Sequence, residues 1–452
     1  MGLERRVRCW LRWSALHGLT RTAITLEARR KQPLALLLAG ADRASDHYDL
    51  IEQIRIADRE APTNVSGIVT ADLVFAREIL RDNRFVAMTP ASIPYPAPLR
   101  WIIERTELGL PNPIEPPAML AVDPPHHTRF RKLVSRAFTP KAVSRLEGTL
   151  HQVTTELLGT MERKQRVDLI SDYASQVPVS IIAEMLDMPR SDTPMLLEWG
   201  DHVAALLDFG MPWQVYREAN EALAHIDSYF DNHLARLRRQ LRDNPDLDGI
   251  MANVIREGDL TDFELKATMA LLLAAGFDTT TNLIGNGIVA LLGNPDQLAY
   301  LQKNPDQWNN AVEEILRYDP PVQMVGRVAT ETVNINGRSL QRGEIAALLI
   351  GGANRDPEVF DQPAKFDVAR DNARQHISFS GGVHSCLGAN LARMEGVVAL
   401  RALFENFPDL ALADDPTPGK HINLRGYRHL PVDITGKVPT VLTTDVGNGV
   451  VS

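Results

Sequence analysis

The stretch TDFELKATMALLLAAGFDTTTNLIGNGIVALLGNP, Thr261 to Pro295, constrains the fold more than any other part of the chain. Thr261 and Glu264 form a capping box at its start, and Gly293-Asn294-Pro295 supplies the stop. The ~30 residues between them predict a helix about 45 Å long at ~1.5 Å per residue. An apolar helix of that length crosses either a membrane or the interior of a large domain. Asp278, three threonines and two asparagines lie near its middle, and each is costly in hydrocarbon. The segment therefore reads as a buried helix spanning the protein. Gly276, Asp278 and Thr279 need a reason in mid-helix. Glycine costs about 1 kcal/mol there, and a neighbouring hydroxyl can bond to the backbone and bend the helix. They predict a local widening beside something bound, faced by an acid and an alcohol; a tolerated irregularity of a core helix is the alternative.

The rest of the chain supplies a large domain around that helix. Of 452 residues, 44% are hydrophobic and 23% charged, which is globular composition. DHYDLIEQIRIADREAP has helical spacing before Pro62, and Thr128 to Trp308 is mostly helical in pattern. VNINGRSLQRGEIAALLI turns to strand character, with Asn336-Gly337 as a two-residue hairpin turn. Eight prolines between Pro90 and Pro117 argue against regular helix or central strand there. The expectation is a mainly α fold with small β-sheets: a basic extension over 1–45, one domain over 46–435 and a tail over 436–452.

Charge is uneven. Residues 1–31 hold eight Lys/Arg and two acids, a balance of +6, which leaves −15 on the remainder of a chain whose net charge is −9. An acidic body excludes general nucleic-acid binding. Arg5, Arg6, Arg8 and Arg12 with Trp10, Trp13 and Leu16 suggest contact of residues 1–31 with an anionic membrane surface; a solvated extension or a helix packed on the body is the other reading. The segment lacks the apolar core and cleavage site of a secretory signal. Two cysteines exclude a disulfide framework and point to a reducing cytoplasm.

One of those cysteines, Cys386, sits in FSGGVHSCLG. Four chemistries are open to it. A disulfide would need Cys9 and an oxidising compartment. Zinc would need about four ligands, and His384 with Cys386 supplies two. A nucleophile would need a histidine base. A thiolate could instead bind haem iron. Gly381, Gly382 and Gly388 favour the last, because a flat macrocycle needs backbone without side chains beside the sulfur. Exposed N–H groups and the N-terminus of the helix that follows would support negative charge on sulfur.

Several motifs then coincide. Phe379, Gly382, His384, Cys386 and Gly388 match Phe-x-x-Gly-x-His-x-Cys-x-Gly, the haem signature of cytochrome P450s. AAGFDTT (Ala274–Thr280) resembles that family's oxygen-activating motif, EEILR contains its Glu314-x-x-Arg317, and DPPHHTRFRKLVSRAFTP and ANRDPEVF resemble stretches of soluble bacterial members. The order matches from about Asp46 to Thr435, and the chain looks most like actinobacterial, especially mycobacterial, members. The resemblance implies a single-domain fold enclosing haem b, with O2 as co-substrate and Cys386 as iron ligand. Asp278 and Thr279 would deliver protons, and Gly276 would open the helix where oxygen sits. His127, Arg131, Ala275, Gly276, Arg327, Phe379, His384 and Gly388 would contact the cofactor, the cations and His384 meeting its propionates.

Three departures from the family pattern stand out. Ser380 replaces a usual glycine, His126 replaces an acid, and Lys365 occupies the place of the arginine that completes the Glu–Arg network. The implied activity is monooxygenation of a large apolar molecule: a polyketide, fatty acyl chain, terpene or sterol. Ile93, Leu99, Trp101, Ile102, Leu206–Trp213, Leu271–Phe277 and Val322–Val325 would wall its pocket. Arg129, Arg131, Lys132, Arg136, Lys141 and Arg145 form an acid-free basic block suited to an acidic ferredoxin, itself served by a reductase. A peroxide-driven or isomerising haem-thiolate enzyme, and a non-catalytic haem or ligand-binding protein, are the competing readings.

Overall fold

The computed structural model describes residues 2–40, 47–60, 67–138, 140–208, 210–247 and 249–434. The expected boundaries at 45/46 and 435/436, the tail, and Phe209 lie outside the described residues, as do the side chains of Arg136 and Lys141. The architecture is mainly helical with small sheets, as the pattern implies.

Asp262–Leu292 is a 31-residue helix with both halves of the capping box formed: Glu264 N–H donates to Thr261 Oγ1 and Thr261 N–H to Glu264 Oε2. Buried side chains surround it, so it is a core helix hydrophobic all round. It packs against the helices Gln176–Met185, Thr193–Ala204, Trp213–Asp243 and Ala389–Asn406. The expected widening is absent: the α-helix continues through Gly276–Thr279. A Cβ at Gly276 would come within 3.3 Å of Ile182 Cδ1, so this glycine lets two helices approach instead of opening one.

A four-stranded sheet is ordered Gly67–Thr70, Ile345–Leu349, Met324–Ala329, Phe85–Ala87, with the first pair parallel and the others antiparallel. In this register Arg327 lies between Ala87 and Ala346. The hairpin Val333–Ile335/Arg338–Leu340 turns at Asn336-Gly337, both at positive φ, as an Asn-Gly turn requires.

Two expectations are corrected by packing. The proline-rich region does hold a helix, Ala97–Arg105, because Pro98 falls in its first turn, where no N–H is needed. Of the readings of the N-terminal segment, a helix packed on the body is the one found: Leu3–Trp13, a π turn at Ser14–Gly18 and Leu19–Arg29 form one continuous rod. Cys9 and Arg12 are buried, Arg12 pairs with Glu115 at 2.7 Å and donates to the Ile103 carbonyl, and Trp13 Nε1 donates to Met211 O at 2.9 Å. Arg12, Trp13 and Leu16, read as membrane-facing, thus turn inward.

The Glu314–Arg317 pair is fully buried and bidentate, at 2.6 and 2.8 Å. Its third member is Arg370, whose Nε lies 3.2 Å from Glu314 Oε2. Lys365, expected to replace that arginine, points outward toward Asp367 at 3.6 Å and contributes only its carbonyl, which accepts from Arg317 and Arg370. The network is therefore all arginine, with planar forks that a lysine could not supply. Arg370→Ala should lower the unfolding free energy by roughly 2 kcal/mol, the scale of a buried hydrogen bond to a charged group. Lys365→Ala should change it by under ~0.5 kcal/mol. Denaturant midpoints of the two variants measure this, and equal losses would return Lys365 to the network.

Candidate active site

The Cys386 loop is built by backbone contacts. Cys386 N–H donates to the Phe379 carbonyl at 2.9 Å, and the Arg131 guanidinium donates to the Ser385 carbonyl at 2.7 Å and the Val383 carbonyl at 3.3 Å. Gly382 has φ +64°, and a Cβ there would fall 2.1 Å from the Leu80 carbonyl; one at Gly381 would touch the Leu80 side chain at 3.4 Å. These two glycines make room for the protein's own Leu80. Ser380 also has positive φ (60°), and its hydroxyl accepts from Arg327 at 3.2 Å. A glycine would relax that backbone but lose the contact.

Cys386 is exposed, yet protein crowds it closely enough that desolvation pushes its thiol up. The Gly388 N–H, which donates to the sulfur, and the charges of Arg131 and Arg393 pull the other way. Three of its alternatives fall away. Cys9 is buried in a separate cluster, its thiol pushed up to about 11 by burial. Among the described residues no three His, Cys, Asp or Glu gather to hold a metal ion by themselves. His384, the would-be base, meets Asp123 instead, at 2.8 Å from Nε2.

Around the loop lie His127 and Arg131, from the helix His126–Val134, with Arg327 from the sheet. The His127 ring lies tilted against that of His384, with centroids 4.5 Å apart and 59° between planes, and neither of its ring nitrogens hydrogen-bonds within the described chain. Burial, then the His384 and Arg131 charges, bring it down to about 4, so it is neutral near pH 7. Arg327 is buried with two neutral acceptors, the Gly326 carbonyl and Ser380 Oγ; among the described residues no carboxylate pairs with it, and only the charge of Asp123 acts on it from nearby. Desolvation lowers it to about 10, a strong bias toward gaining an anion. Arg131 and His384 are more committed than expected: Arg131 holds loop carbonyls and His384 holds Asp123. A buried guanidinium lacking a carboxylate, a free imidazole and a thiol receiving an N–H together suit a macrocycle bearing anionic groups and a thiolate-binding iron. These residues fit haem.

On the long helix, Asp278 is pushed up to about 6 by burial, opposed by His421 and reinforced by Asp201 and Asp208. Asn282 Nδ2 lies 3.5 Å from its Oδ2. Asp208 accepts from the Ile422 and Asn423 N–H groups at 2.8 and 2.9 Å, which brings the 421–423 loop beside the helix. The Thr279 hydroxyl donates to the Ala275 carbonyl at 2.6 Å, so its oxygen is left to accept. Asp278, Thr279 and Ala275 are thus together on one turn.

Sequence reading missed Glu313, Glu395, Asp123, His421 and Asp208. Glu313 is buried against His376 (2.9 Å) and Arg393 (2.8 Å), and Arg393 lies over Phe379 at 4.4 Å. Desolvation alone would raise Glu313, but these partners bring it to about 2. Glu395 is buried beside Thr280, and desolvation pushes it up to about 8 against that single hydrogen bond. Glu313 left a signal in the sequence as an acid on the Glu314-x-x-Arg317 helix, and Asp123 as the first residue of DPPHHTRFRKLVSRAFTP.

The expected pocket wall is divided. Leu206, Met211, Leu273 and Phe277 are buried in one apolar cluster. Leu99 and Ile102 pack on Ala15 and Leu16 of the rod, and Trp101 is exposed under Arg105.

Glu395 yields a pH test. The native carboxyl keeps its proton to about pH 8, while the unfolded one loses it near 4.5. The native state therefore binds the extra proton across that window, and stability declines as pH rises through it, levelling above. Glu395→Gln should remove a decline of a few kcal/mol between about pH 4.5 and 8. Urea midpoints across the window would show it, and parallel profiles for both proteins would contradict it.

Comparison with known proteins agrees with this geometry. The cytochrome P450 family model matches residues 109–419. Cytochrome P450 140 of Mycobacterium tuberculosis is 39% identical over 429 residues, spanning 94% of this chain and 97% of that protein. The structure of P450BioI with hexadec-9Z-enoic acid ligated acyl carrier protein superposes with a TM-score of 0.74 at 32% identity, covering 86% of this chain and 98% of the other. That of CYP109E1 from Bacillus megaterium in complex with testosterone gives 0.71 at 26% identity, covering 85% and 99%. With the Cys386 loop, the long helix and the buried Glu–Arg network in one fold, the chain belongs to the cytochrome P450 family and has that family's haem-thiolate monooxygenase chemistry.

Proposed function

We propose that this chain hydroxylates a large apolar substrate with one atom of O2, using Cys386 as the axial ligand of haem b and electrons from an acidic ferredoxin and its reductase. The observation that carries this reading is the pairing of a Cys386 sulfur receiving the Gly388 N–H with a buried Asp278 carboxyl titrating near 6. Haem held by a thiolate supplies, when bound, the electron push that helps cleave the O–O bond. Arg327 and His127 would hold the propionates, with Arg131 and His384 fixing the loop beside them, and Ala275, Phe379 and Gly388 would lie against the ring. Asp278 can hold a proton at its carboxyl and release it through water, because its value lies near working pH. Thr279 Oγ1, its own hydrogen given to Ala275, can accept from such a water.

The apolar cluster of Leu206, Met211, Leu273 and Phe277 supports an apolar ligand, and the acyl chain and testosterone of the two solved relatives are of that class. A polyketide, fatty acyl chain, terpene or sterol fits equally. Both cysteines are free, in line with a reducing cytoplasm. Among the described residues no helix is long and apolar enough to cross a membrane.

Reduction under carbon monoxide should give the far red-shifted Soret band of thiolate ligation, lost in Cys386→Ser. With a turned-over substrate, Thr279→Ala should consume several-fold more O2 than it converts to product, since proton delivery contributes roughly 10²-fold or more. Full coupling in that variant would remove Thr279 from proton delivery.

The basic block is smaller than its sequence suggested. Arg131 faces inward and the exposed Arg129 is paired with Glu264 at 2.7 Å, while Lys132 is exposed. Lys132→Glu should slow reduction by an acidic ferredoxin roughly threefold or more at low salt, the gap closing as salt rises, with substrate affinity unchanged. Equal reduction rates at low salt would remove the partner from this face.

A further inference from the structure

A helix laid on a globular body ordinarily has one apolar stripe, facing inward, and a polar outer face. The rod Leu3–Arg29 has two. Cys9, Arg12, Ala15 and Leu16 turn into the body. On the exposed side lie Leu3, Val7, Trp10, Leu11, Leu19 and Leu26, between 38% and 81% exposed. Leu3, Val7, Trp10 and Leu11 repeat at helical spacing and fall on one face. On an uninterrupted α-helix Leu19 would point ~160° away from Leu3. The π turn at Ser14–Gly18 takes up about one extra residue, which brings Leu19 and Leu26 to within ~60° of the first stripe. The irregularity thus merges two short stripes into one along the rod.

Charge selects the occupant. Of the +6 of residues 1–31, +4 sits at the two ends of the rod, in Arg5, Arg6 and Arg8 less Glu4 and in Arg29, Arg30 and Lys31 less Glu27, while the rest of the chain carries −15. An apolar stripe with a tryptophan, basic at both ends, is the composition that lies in the headgroup layer of an anionic bilayer. The acidic body would be repelled by the same surface, so only the rod can approach it. We propose that the outer face of Leu3–Arg29 docks on an anionic lipid surface, with Leu3, Val7, Trp10, Leu11, Leu19 and Leu26 entering the interface and the inner face staying on the body.

This differs from what the sequence suggested, since Arg12, Trp13 and Leu16 are spent on the body. The rod also ties the Ile103–Glu115 region, through Arg12, to Gly210 and Met211, through Arg21 and Trp13. Docking would therefore set a reservoir of apolar ligand beside the segments flanking the pocket. That corollary rests on the substrate reading above; the docking does not.

The test is co-sedimentation of the haem-loaded full-length protein with vesicles of phosphatidylcholine alone and of phosphatidylcholine with phosphatidylglycerol. The expected result is at least roughly tenfold tighter binding to the anionic vesicles, weakening with salt. Val7→Ser with Trp10→Ser, and separately Leu19→Ser with Leu26→Ser, should each lose most of that binding while keeping the carbon-monoxide band and unfolding temperature. Equal sedimentation with both vesicle types, or parent-level binding in both variant pairs, would overturn the proposal. So would a concentration-dependent dimer in sedimentation velocity that Trp10→Ser abolishes, because a second copy would then cover the stripe.

Discussion

The Glu314 carboxylate, buried between Arg317 and Arg370, is the interaction on which the rest of the site depends. Arg317 also donates to the carbonyls of Asn354, Pro363 and Lys365, and so fixes a stretch with little regular structure. From there the order passes through side chains. Asn354 Nδ2 donates to Ser378 Oγ at 2.7 Å, its Oδ1 accepts from Ile377 N–H at 2.8 Å, and Ser378 Oγ donates to the Leu316 carbonyl. The next residue is Phe379, whose carbonyl receives Cys386 N–H. Backbone in such a loop has no helix or sheet to satisfy it, so buried charge and amide groups must do so instead. Removing one partner would leave the others desolvated and unpaired, which is costly.

Glu313, next on the same helix, repeats the device one step closer to the cysteine. It gathers His376 and Arg393, and Arg393 in turn covers the ring of Phe379. The two adjacent acids thus serve different parts of the molecule: Glu314 the approach to the loop, Glu313 its flank. In Glu313, hydrogen-bonded partners outweigh burial. In Asp278 and Glu395 burial outweighs the partners, and both carboxyls move toward neutral values. The same low-dielectric interior therefore yields fixed anions where arginines converge and proton-holding acids where they do not.

Much of the fold was legible because its signals are local. The capping box at Thr261, the stop at Gly293, the Asn336-Gly337 turn and the apolar length of the central helix each depend on residues a few positions apart. The Cys386 loop was recognisable for the same reason. What failed were inferences about what a residue faces. Gly276 and Gly382 were read only as room for a ligand, and the close approach of Ile182 and of the Leu80 carbonyl was not foreseen. Lys365 was read as a network member and Arg370 was overlooked, although both are cations within a short stretch; which one turns inward is decided by the path of the chain. Pro98 was read as excluding helix, but its position in a first turn makes it compatible.

By itself, then, the sequence determined the helix content, the long buried helix, the family, and the chemistry available at Cys386 and at Asp278-Thr279, because spacing along a helix or turn sets those directly. Tertiary structure alone decided the partners: Arg370 for Glu314, Asp123 for His384, Ser380 for Arg327, and the inward or outward face of the N-terminal rod. Those pairs join residues distant in sequence, and Glu395 is neutral and Arg327 in want of an anion only because of what packs around them. Desolvation is a property of the assembled interior, and spacing along the chain carries no record of it.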